Sequence, residues 1–347
     1  MDLKNRYIDT TSSLLEALKK MDALDKKLLL VLDRGKFEGL LSIGDIQRAI
    51  INNQNLDTPV HTVLRKNIRY ANQNLSFSEI RDLMIQYRME MCPVLDNKGD
   101  LVDIHFWEDI FGERNQVQES FNLPVVVMAG GFGTRLKPLT NVLPKPLIPI
   151  GDKTMLEEIF SRFYRHGCNQ FYVSVNYKAE LIDFYLNSLK LPFKTECFVE
   201  DKPLGTAGSL HLLKGKITET FFVSNCDIII EEDYSNILKY HQENNNEITL
   251  VAALKHFPIA YGTLETGEKG QLLALTEKPE LTFKINSGMY VLEPHLIEEV
   301  PQNEFFHITD LINKIIQREG RVGVFPVSEK SWKDIGEANL LAKFFNG

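Results

Sequence analysis

The sequence predicts an α/β protein in two parts, a domain built on a mostly parallel mixed sheet and, ahead of it, a smaller α+β unit. Three observations carry this. The apolar run Pro124-Val-Val-Val-Met-Ala129 ends in Gly130, Gly131 and Gly133, as a buried parallel strand does when it opens into a loop free of side chains. Beyond it, strands and helices alternate, the pattern of a layered α/β sheet. Ahead of it, residues 8–112 hold a weak internal repeat whose halves are each too small to bury an apolar face alone, so the two should pack together.

The first copy reads as a helical stretch around Leu14, Leu15, Leu18 and Met21, a strand from Lys27 to Leu32, a turn at Asp33-Arg-Gly35, a strand from Phe37 to Ser42 and a helix from Gly44. The second reads as a helix from Phe77 to Tyr87, strands from Met91 to Leu95 and from Leu101 to His105 around a turn at Asn97-Lys-Gly99, and an acidic helix start at Glu108-Asp109. Ser42 and Asp45, three residues apart, open the last helix of the first copy. Their spacing suits an ordinary helix cap. Phe106 and Asp109 stand at the matching places of the second copy. Residues 113–122 are polar and aperiodic and read as a linker between residues 1–112 and a large domain at 123–347.

In the large domain a helix is predicted from Met155 to His166, with Leu156, Ile159, Phe160 and Phe163 on one side, then a strand from Gln170 to Asn176 and a helix from Ala179 to Leu189. Further strands are expected at 195–199, 220–224, 248–254, 272–275, 288–292 and 322–326. Ligands in such sheets sit at the strands' carboxyl ends. The amides of Gly130, Gly131 and Gly133, with the charges of Arg135 and Lys145, have the chemistry of a polyphosphate cradle, although glycines alone also mark a tight strand-to-helix turn. The spacing is neither a Walker A loop nor Gly-x-Gly-x-x-Gly. Pro138, Pro144, Pro146 and Pro149 forbid a long helix after the loop and should hold Lys145 on a stiff, extended segment. The run Leu204 to Ser209 puts small residues at a helix start, open to a flat ligand or simply a loop-to-helix junction. Asp227, ending the apolar strand Phe221 to Cys226, suits a hard cation or caps the next turn.

The stretch Gly130-Gly-Phe-Gly-Thr-Arg-Leu-Lys-Pro-Leu-Thr140, with Pro144-Lys-Pro-Leu147 after it, resembles the signature of sugar-1-phosphate nucleotidylyltransferases. The resemblance spans about Leu123 to Phe345 and implies a Rossmann-like nucleotidyltransferase domain. It implies that Gly130, Gly131, Gly133 and Thr134 hold the nucleotide, with Glu200, Gly205, Thr206 and Ala207 lining the nucleoside pocket. Asp227 and Asp334, the latter in Ser331-Trp-Lys-Asp-Ile-Gly336, would bind Mg²⁺, and Arg135, Lys145, Asp227 and Lys278 would be catalytic. Gly262, Glu277, Lys278 and Asn286 would hold the sugar phosphate. Cys226 stands where the family usually has glycine.

The N-terminal repeat resembles a tandem pair of cystathionine-β-synthase (CBS) domains, a Bateman module, which implies an adenine nucleotide at Ser42 and Asp45, or dimerisation. The combination resembles guanylyltransferases of legionaminic acid synthesis and implies GTP and glucosamine 1-phosphate as substrates. Mannose or heptose 1-phosphate, uridylyl or thymidylyl transfer, and a catalytically silent nucleotide sensor are the alternatives.

Composition sets outer bounds. The 347 residues exceed one ordinary core, and a net charge of −8 argues against a general nucleic-acid or acidic-membrane binder. Cys92, Cys168, Cys197 and Cys226 are widely spaced and read as reduced thiols, and the eight histidines show no metal-ligand spacing. His307 reads as preceding a helix N-cap and Trp332 as a core anchor. No signal core or membrane-length apolar window is evident, so a cytoplasmic protein is expected.

Overall fold

A computed structural model of the chain describes residues 6–65, 68–87, 89–107, 110 and 120–336. The chain divides into two compact units, Met1–Val117 and Gln118–Gly347.

The first unit is built twice from one plan. Strand β1 (Tyr7–Asp9) runs parallel to β2 (Leu28–Asp33), which pairs antiparallel with β3 (Lys36–Ser42). Helix α1 (Leu14–Leu24) starts at a capping box of Ser13 and Glu16 and buries Leu14, Ala17, Leu18 and Met21, a single helical stripe. The β2–β3 hairpin turns on Arg34 and Gly35, both with positive φ, as a two-residue loop matched to strand twist requires. Helix α2 (Ile43–Ile51) follows directly on β3. The second half repeats the order: β4 (Ala71–Asn72) lies parallel to β5 (Met91–Leu95), β5 antiparallel to β6 (Leu101–Phe106), with α3 (Phe77–Tyr87) between β4 and β5. Leu30 of the first half packs in one buried cluster with Met91, Ile104 and Phe106 of the second, so the halves share a core. The short strands β1 and β4 escape a sequence reading because two or three residues show no alternation. The helix start expected at Glu108-Asp109 lies outside the described residues, as does 113–119 of the expected linker.

The second unit opens with β7 (Val125–Met128), then the small hairpin of β8 (Pro149–Ile150) and β9 (Lys153–Thr154), helix α4 (Met155–Arg165), β10 (Gln170–Val175), α5 (Ala179–Ser188) and β11 (Lys194–Val199). It continues through β12 (Phe221–Asn225), β13 (Ile228–Ile230), α6 (Tyr234–Glu243), β14 (Ile248–Pro258), β15 (Thr263–Thr266), β16 (Leu272–Thr276) and β17 (Glu280–Leu292). Helix α7 (Ile308–Gln317), β18 (Val322–Ser328) and β19 (Trp332–Asp334) close the described part. The main sheet has seven strands in the order β11-β10-β7-β12-β17-β14-β18. Only β17 runs against its neighbours; every other pair is parallel. This is the expected α/β fold. Helices cover both faces: Phe160 and Phe163 of α4 touch Phe171 and Phe222, whereas Val126, Val223 and Tyr290 pack in one cluster with Leu311, Ile312 and Ile315 of α7.

Three expectations are corrected. The strand predicted at Leu272 to Leu275 is no part of the main sheet but pairs with β15 in a separate hairpin. Phe121, assigned to the linker, belongs to the large unit: it stacks on Phe222 and His166 and donates its N–H to the His166 carbonyl at 2.7 Å. Trp332 is only half-buried, its indole N–H donated to the Ser287 carbonyl at 3.3 Å. Among the described residues no helix is long and apolar enough to cross a membrane.

Phe222 is fully buried in an aromatic cluster with Phe121, Phe163 and Tyr234. Phe222→Ala is expected to destabilise the protein by about 3–5 kcal/mol through the cavity it leaves. Denaturant unfolding followed by tryptophan fluorescence measures this.

Candidate active site

The glycine loop begins where β7 ends. Gly130 lies flat against Glu200: a Cβ there would come within 2.7 Å of the carboxylate Oε1. Gly133 adopts φ +62°, and a side chain on it would meet Thr140 at 2.7 Å. Thr140 in turn donates its hydroxyl to the Gly133 carbonyl at 2.9 Å. At Gly131 a side chain would meet nothing within 4 Å, and Thr134 and Arg135 are exposed beside it. The loop therefore keeps an open side with backbone and a cation on it. Three short 3₁₀ turns, 134–136, 139–141 and 145–147, replace the helix that the prolines forbid. Lys145 opens the third turn, which corrects the extended segment expected for it; Pro144 before it is extended.

Charge gathers next to this loop. Asp227 follows β12 by two residues and forms an ion pair with Lys145, each side chain only 13% exposed. Strands β13 and β19 pair antiparallel with Ile228 opposite Asp334, and the Ile335 N–H is donated to the Asp227 carbonyl at 2.9 Å. That register fixes Asp334 beside Asp227. A Cβ placed on Gly336 would lie 2.5 Å from Asp227 Oδ2, 2.6 Å from Lys145 Nζ and 2.9 Å from Asp334 Oδ1, so all three side chains converge on one small space. The Arg135 guanidinium stands 4.0 Å from Asp334 on the outer side. Burial, and then the neighbouring Asp227 charge, raise the Asp334 carboxyl above its ordinary range, against the opposing pull of the Gly336 N–H, Lys145 and Arg135. Two converging carboxylates with one of them already reluctant to ionise are a donor set suited to a hard divalent cation. Cys226 is an inert neighbour, its thiol pushed up to about 12 by burial.

Glu200 is buried. It accepts hydrogen bonds from the Ser174 hydroxyl and, at 2.9 Å, from the Leu204 N–H, while Asn176 donates its amide to the Glu200 carbonyl at 2.7 Å. The small residues after it prove to serve the fold. Gly205, at φ +83°, and Gly208 are approached by the backbone of 304–306: a Cβ on either would fall 2.7 Å from a carbonyl, of Phe306 and Glu304 respectively. Ala207 and Gly208 donate their N–H groups to the Phe306 carbonyl, and the Thr206 hydroxyl accepts the Ile308 N–H at 3.0 Å, satisfying the start of α7. The run leads into a 3₁₀ turn, Gly208–Leu213, and not into an α-helix. His307 is itself the N-cap residue of α7.

The residues expected at the sugar are less gathered. A side chain on Gly262 would come 2.9 Å from Glu277 Oε2, so these two adjoin. Lys278 is exposed and holds φ +47°, a left-handed conformation unusual for a residue with a side chain. Asn286 donates to the Tyr290 hydroxyl at 2.8 Å and accepts the Gly288 N–H at 3.1 Å. Among the described residues neither Glu277 nor Lys278 enters an ion pair.

In the first unit a cavity of about 500 Å³ is lined by Leu28, Leu40, Ser42, Asp45, Arg65 and Met91, among others. Ser42 and Asp45 form the capping box of α2 and face this cavity as well. Asp45 accepts from Ser42, Arg48 and, at 2.7 Å, Arg65, which also donates to the Ser42 hydroxyl at 3.0 Å. Burial pulls the Asp45 carboxyl up, yet the hydrogen bonds from Arg65 and Ser42 outweigh it and hold the group below its ordinary range. Arg65 escaped the sequence reading, because a single arginine in a polar loop carries no local signal.

An α/β sheet with a glycine loop, two cations and two acidic side chains at its carboxyl ends defines a phosphate-handling protein. Residues 124–346 match the nucleotidyl transferase family, and the chain belongs to it; residues 2–52 match the CBS domain. The chain is 31% identical over 223 residues to the mannose-1-phosphate guanylyltransferase catalytic subunit beta of Danio rerio, covering 62% of this chain and 61% of the relative. It is 30% identical over 216 residues to the mannose-1-phosphate guanylyltransferase of Mycobacterium tuberculosis, covering 61% and 60%. The chain thus spans about three fifths of the length of these curated relatives. The crystal structure of HddC from Yersinia pseudotuberculosis is similar at 26% identity and a TM-score of 0.51, over 65% of this chain and 98% of that one.

Because Asp334 keeps its proton to higher pH when folded than when unfolded, it costs stability as pH rises from the ordinary carboxylate value through its folded value. Asp227→Asn removes one of the two causes, so Asp334 should then titrate closer to its ordinary value. Carboxyl NMR chemical shifts against pH measure this; an unmoved midpoint would assign the whole shift to burial.

Proposed function

We propose that the chain transfers a guanylyl group from GTP to a hexose 1-phosphate, giving a nucleotide sugar and pyrophosphate. The observation that carries this is the convergence of Asp227, Asp334, Lys145 and Arg135 beside the open glycine loop. The sugar phosphate is already an anionic nucleophile. One of its oxygens attacks the α-phosphorus, the bond to the β-phosphate oxygen breaks, and pyrophosphate leaves with that electron pair. Such a reaction asks for alignment and charge neutralisation more than for a protein nucleophile or base. Asp227 and Asp334 would hold Mg²⁺, which when bound supplies charge neutralisation at the phosphates. Arg135 and Lys145 balance negative charge on the triphosphate side, the amides around Gly130, Gly131, Gly133 and Thr134 bind phosphate, and Lys278, with Glu277, Gly262 and Asn286, receives the sugar phosphate. A silent nucleotide sensor would have no use for the acidic pair.

The base is argued from Glu200. An ionised carboxylate only accepts hydrogen bonds, and two of its roughly four acceptor positions remain after Ser174 and Leu204. Guanine offers two adjacent donors, N1–H and N2–H₂, to such a group, whereas uracil and thymine offer one donor between two carbonyls. The names of the relatives favour mannose 1-phosphate over the glucosamine 1-phosphate expected from the sequence. The cavity of the first unit would bind an adenine nucleotide, its phosphates toward Arg65 and its ribose diol toward Asp45.

Pyrophosphate release with Mg²⁺, each nucleoside triphosphate and a panel of hexose 1-phosphates tests the reading. GTP with mannose 1-phosphate is the expected pair, Asp227→Asn should lose about 10²-fold or more in turnover, and Glu200→Gln should narrow the preference for GTP over UTP by about 10- to 100-fold. Silence of the wild type across the panel, with GTP still bound, would favour a sensor. Calorimetry with AMP, ADP and ATP, the catalytic site saturated with GTP, should show binding that Asp45→Asn weakens by about tenfold.

A further inference from the structure

Glu200 is held by three consecutive residues at the carboxyl end of β10. Its N–H is donated to the Val175 carbonyl at 2.9 Å, its own carbonyl accepts the Asn176 amide at 2.7 Å, and its side chain accepts the Ser174 hydroxyl. Behind Ser174 stands Ser209, in the 3₁₀ turn Gly208–Leu213, the two hydroxyl oxygens 3.0 Å apart. Both serines are fully buried. The residues around them in the sheet and the turn, Met128, Tyr172, Phe198, Ala207 and Leu210, share one apolar cluster. Among the described residues the Ser209 hydroxyl has no hydrogen-bond partner but Ser174.

The core does not explain two hydroxyls in such a place. Alanine would fill either position with no polar group to satisfy, and a buried hydroxyl costs stability unless it is paired. A hydroxyl also carries only one hydrogen, and an ionised carboxylate only accepts. Ser174 therefore gives its hydrogen to Glu200, and the contact between the serines is made with the hydrogen of Ser209. The order of donation is Ser209 to Ser174 to Glu200, a short chain in which each bond strengthens the next.

The two carboxylate oxygens are engaged one apiece. Ser174 reaches Oε1, and the Leu204 N–H reaches Oε2 at 2.9 Å. Each oxygen has about two acceptor positions, so one is taken and one is left on each. Two parallel donors, the N1–H and N2–H₂ of guanine, ask for that arrangement, one bond to each oxygen. Without Ser174 the carboxylate, whose last torsion is broad, is free to turn and to take a different donor on Oε1. We infer that Ser174, braced by Ser209, is a positioning residue that sets the preference for guanine by fixing the plane of the Glu200 carboxylate. The inference rests on the proposed reading of Glu200, and it needs neither serine to touch the nucleotide.

Calorimetry of the full chain with GTP and with UTP tests it, with Mg²⁺ present, sugar phosphate absent and AMP in excess to fill the cavity of the first unit. Ser174→Ala should raise the GTP dissociation constant about tenfold and leave that of UTP within about twofold, as loss of one hydrogen bond to a charged group does. Ser209→Ala should act in the same direction by about two- to threefold, and it carries the test if Ser174→Ala fails to fold. In a Glu200→Gln background, Ser174→Ala should leave the ratio of the two constants where Glu200→Gln alone puts it. Folded serine variants with an unchanged GTP-to-UTP ratio overturn the inference and assign both hydroxyls to the fold. A change of ratio that persists in the Glu200→Gln background overturns it as well, since the serines would then act by another route. If Glu200→Gln itself leaves the ratio unmoved, the reading of Glu200 fails and the inference falls with it.

Discussion

The second unit is organised around two carboxylates that strand pairing forces together. Once β13 and β19 are in register, Asp334 has no other place than beside Asp227, in a partly buried space where like charges repel strongly. Lys145 is the answer the chain supplies from its own side chains, and the proline-rich segment that carries Lys145 exists in short turns because it must bring that ammonium back to Asp227. Gly336 completes the arrangement by having no side chain where three charged groups meet. The cluster is thus a place of incomplete neutralisation: one lysine against two carboxylates, with Arg135 at arm's length. A ligand that brings a divalent cation and phosphates together would relieve it.

Much of this was legible in the sequence because it is local. The strand before Gly130, the amphipathic stripe of α4 and the two halves of the N-terminal repeat each announce themselves within a dozen residues. What remained hidden depends on distant partners. Strands β13 and β19 are three residues each and exist only because they find one another. Arg65 reaches Asp45 across twenty positions. The apolar run Leu272 to Leu275 signalled a strand but could not say that its neighbour would be Thr263 to Thr266 and not the main sheet.

The glycines divide along the same line. Gly130 and Gly131 follow β7 directly, one pressed on Glu200 and one open. Gly205 and Gly208 look the same in sequence, yet the close approach they permit is that of residues 304–306 of the chain itself. A small residue shows that something comes near, and only the fold shows what. Thr206 makes the same point, since its hydroxyl is engaged at the start of α7.

Strand β17 runs from its outer pairing with β14 into the middle of the sheet, with a shift of register against β14 where Gly288 takes φ +87°. Thirteen residues at about 3.3 Å each make a rod of roughly 40 Å. Its inner part passes Asn225, which a side chain on Gly288 would strike, two residues before Asp227. Held between β12 and β14 at its inner end and by β14 alone farther out, β17 is a rail whose irregular joint, at Gly288, lies against the Asn225 that precedes Asp227.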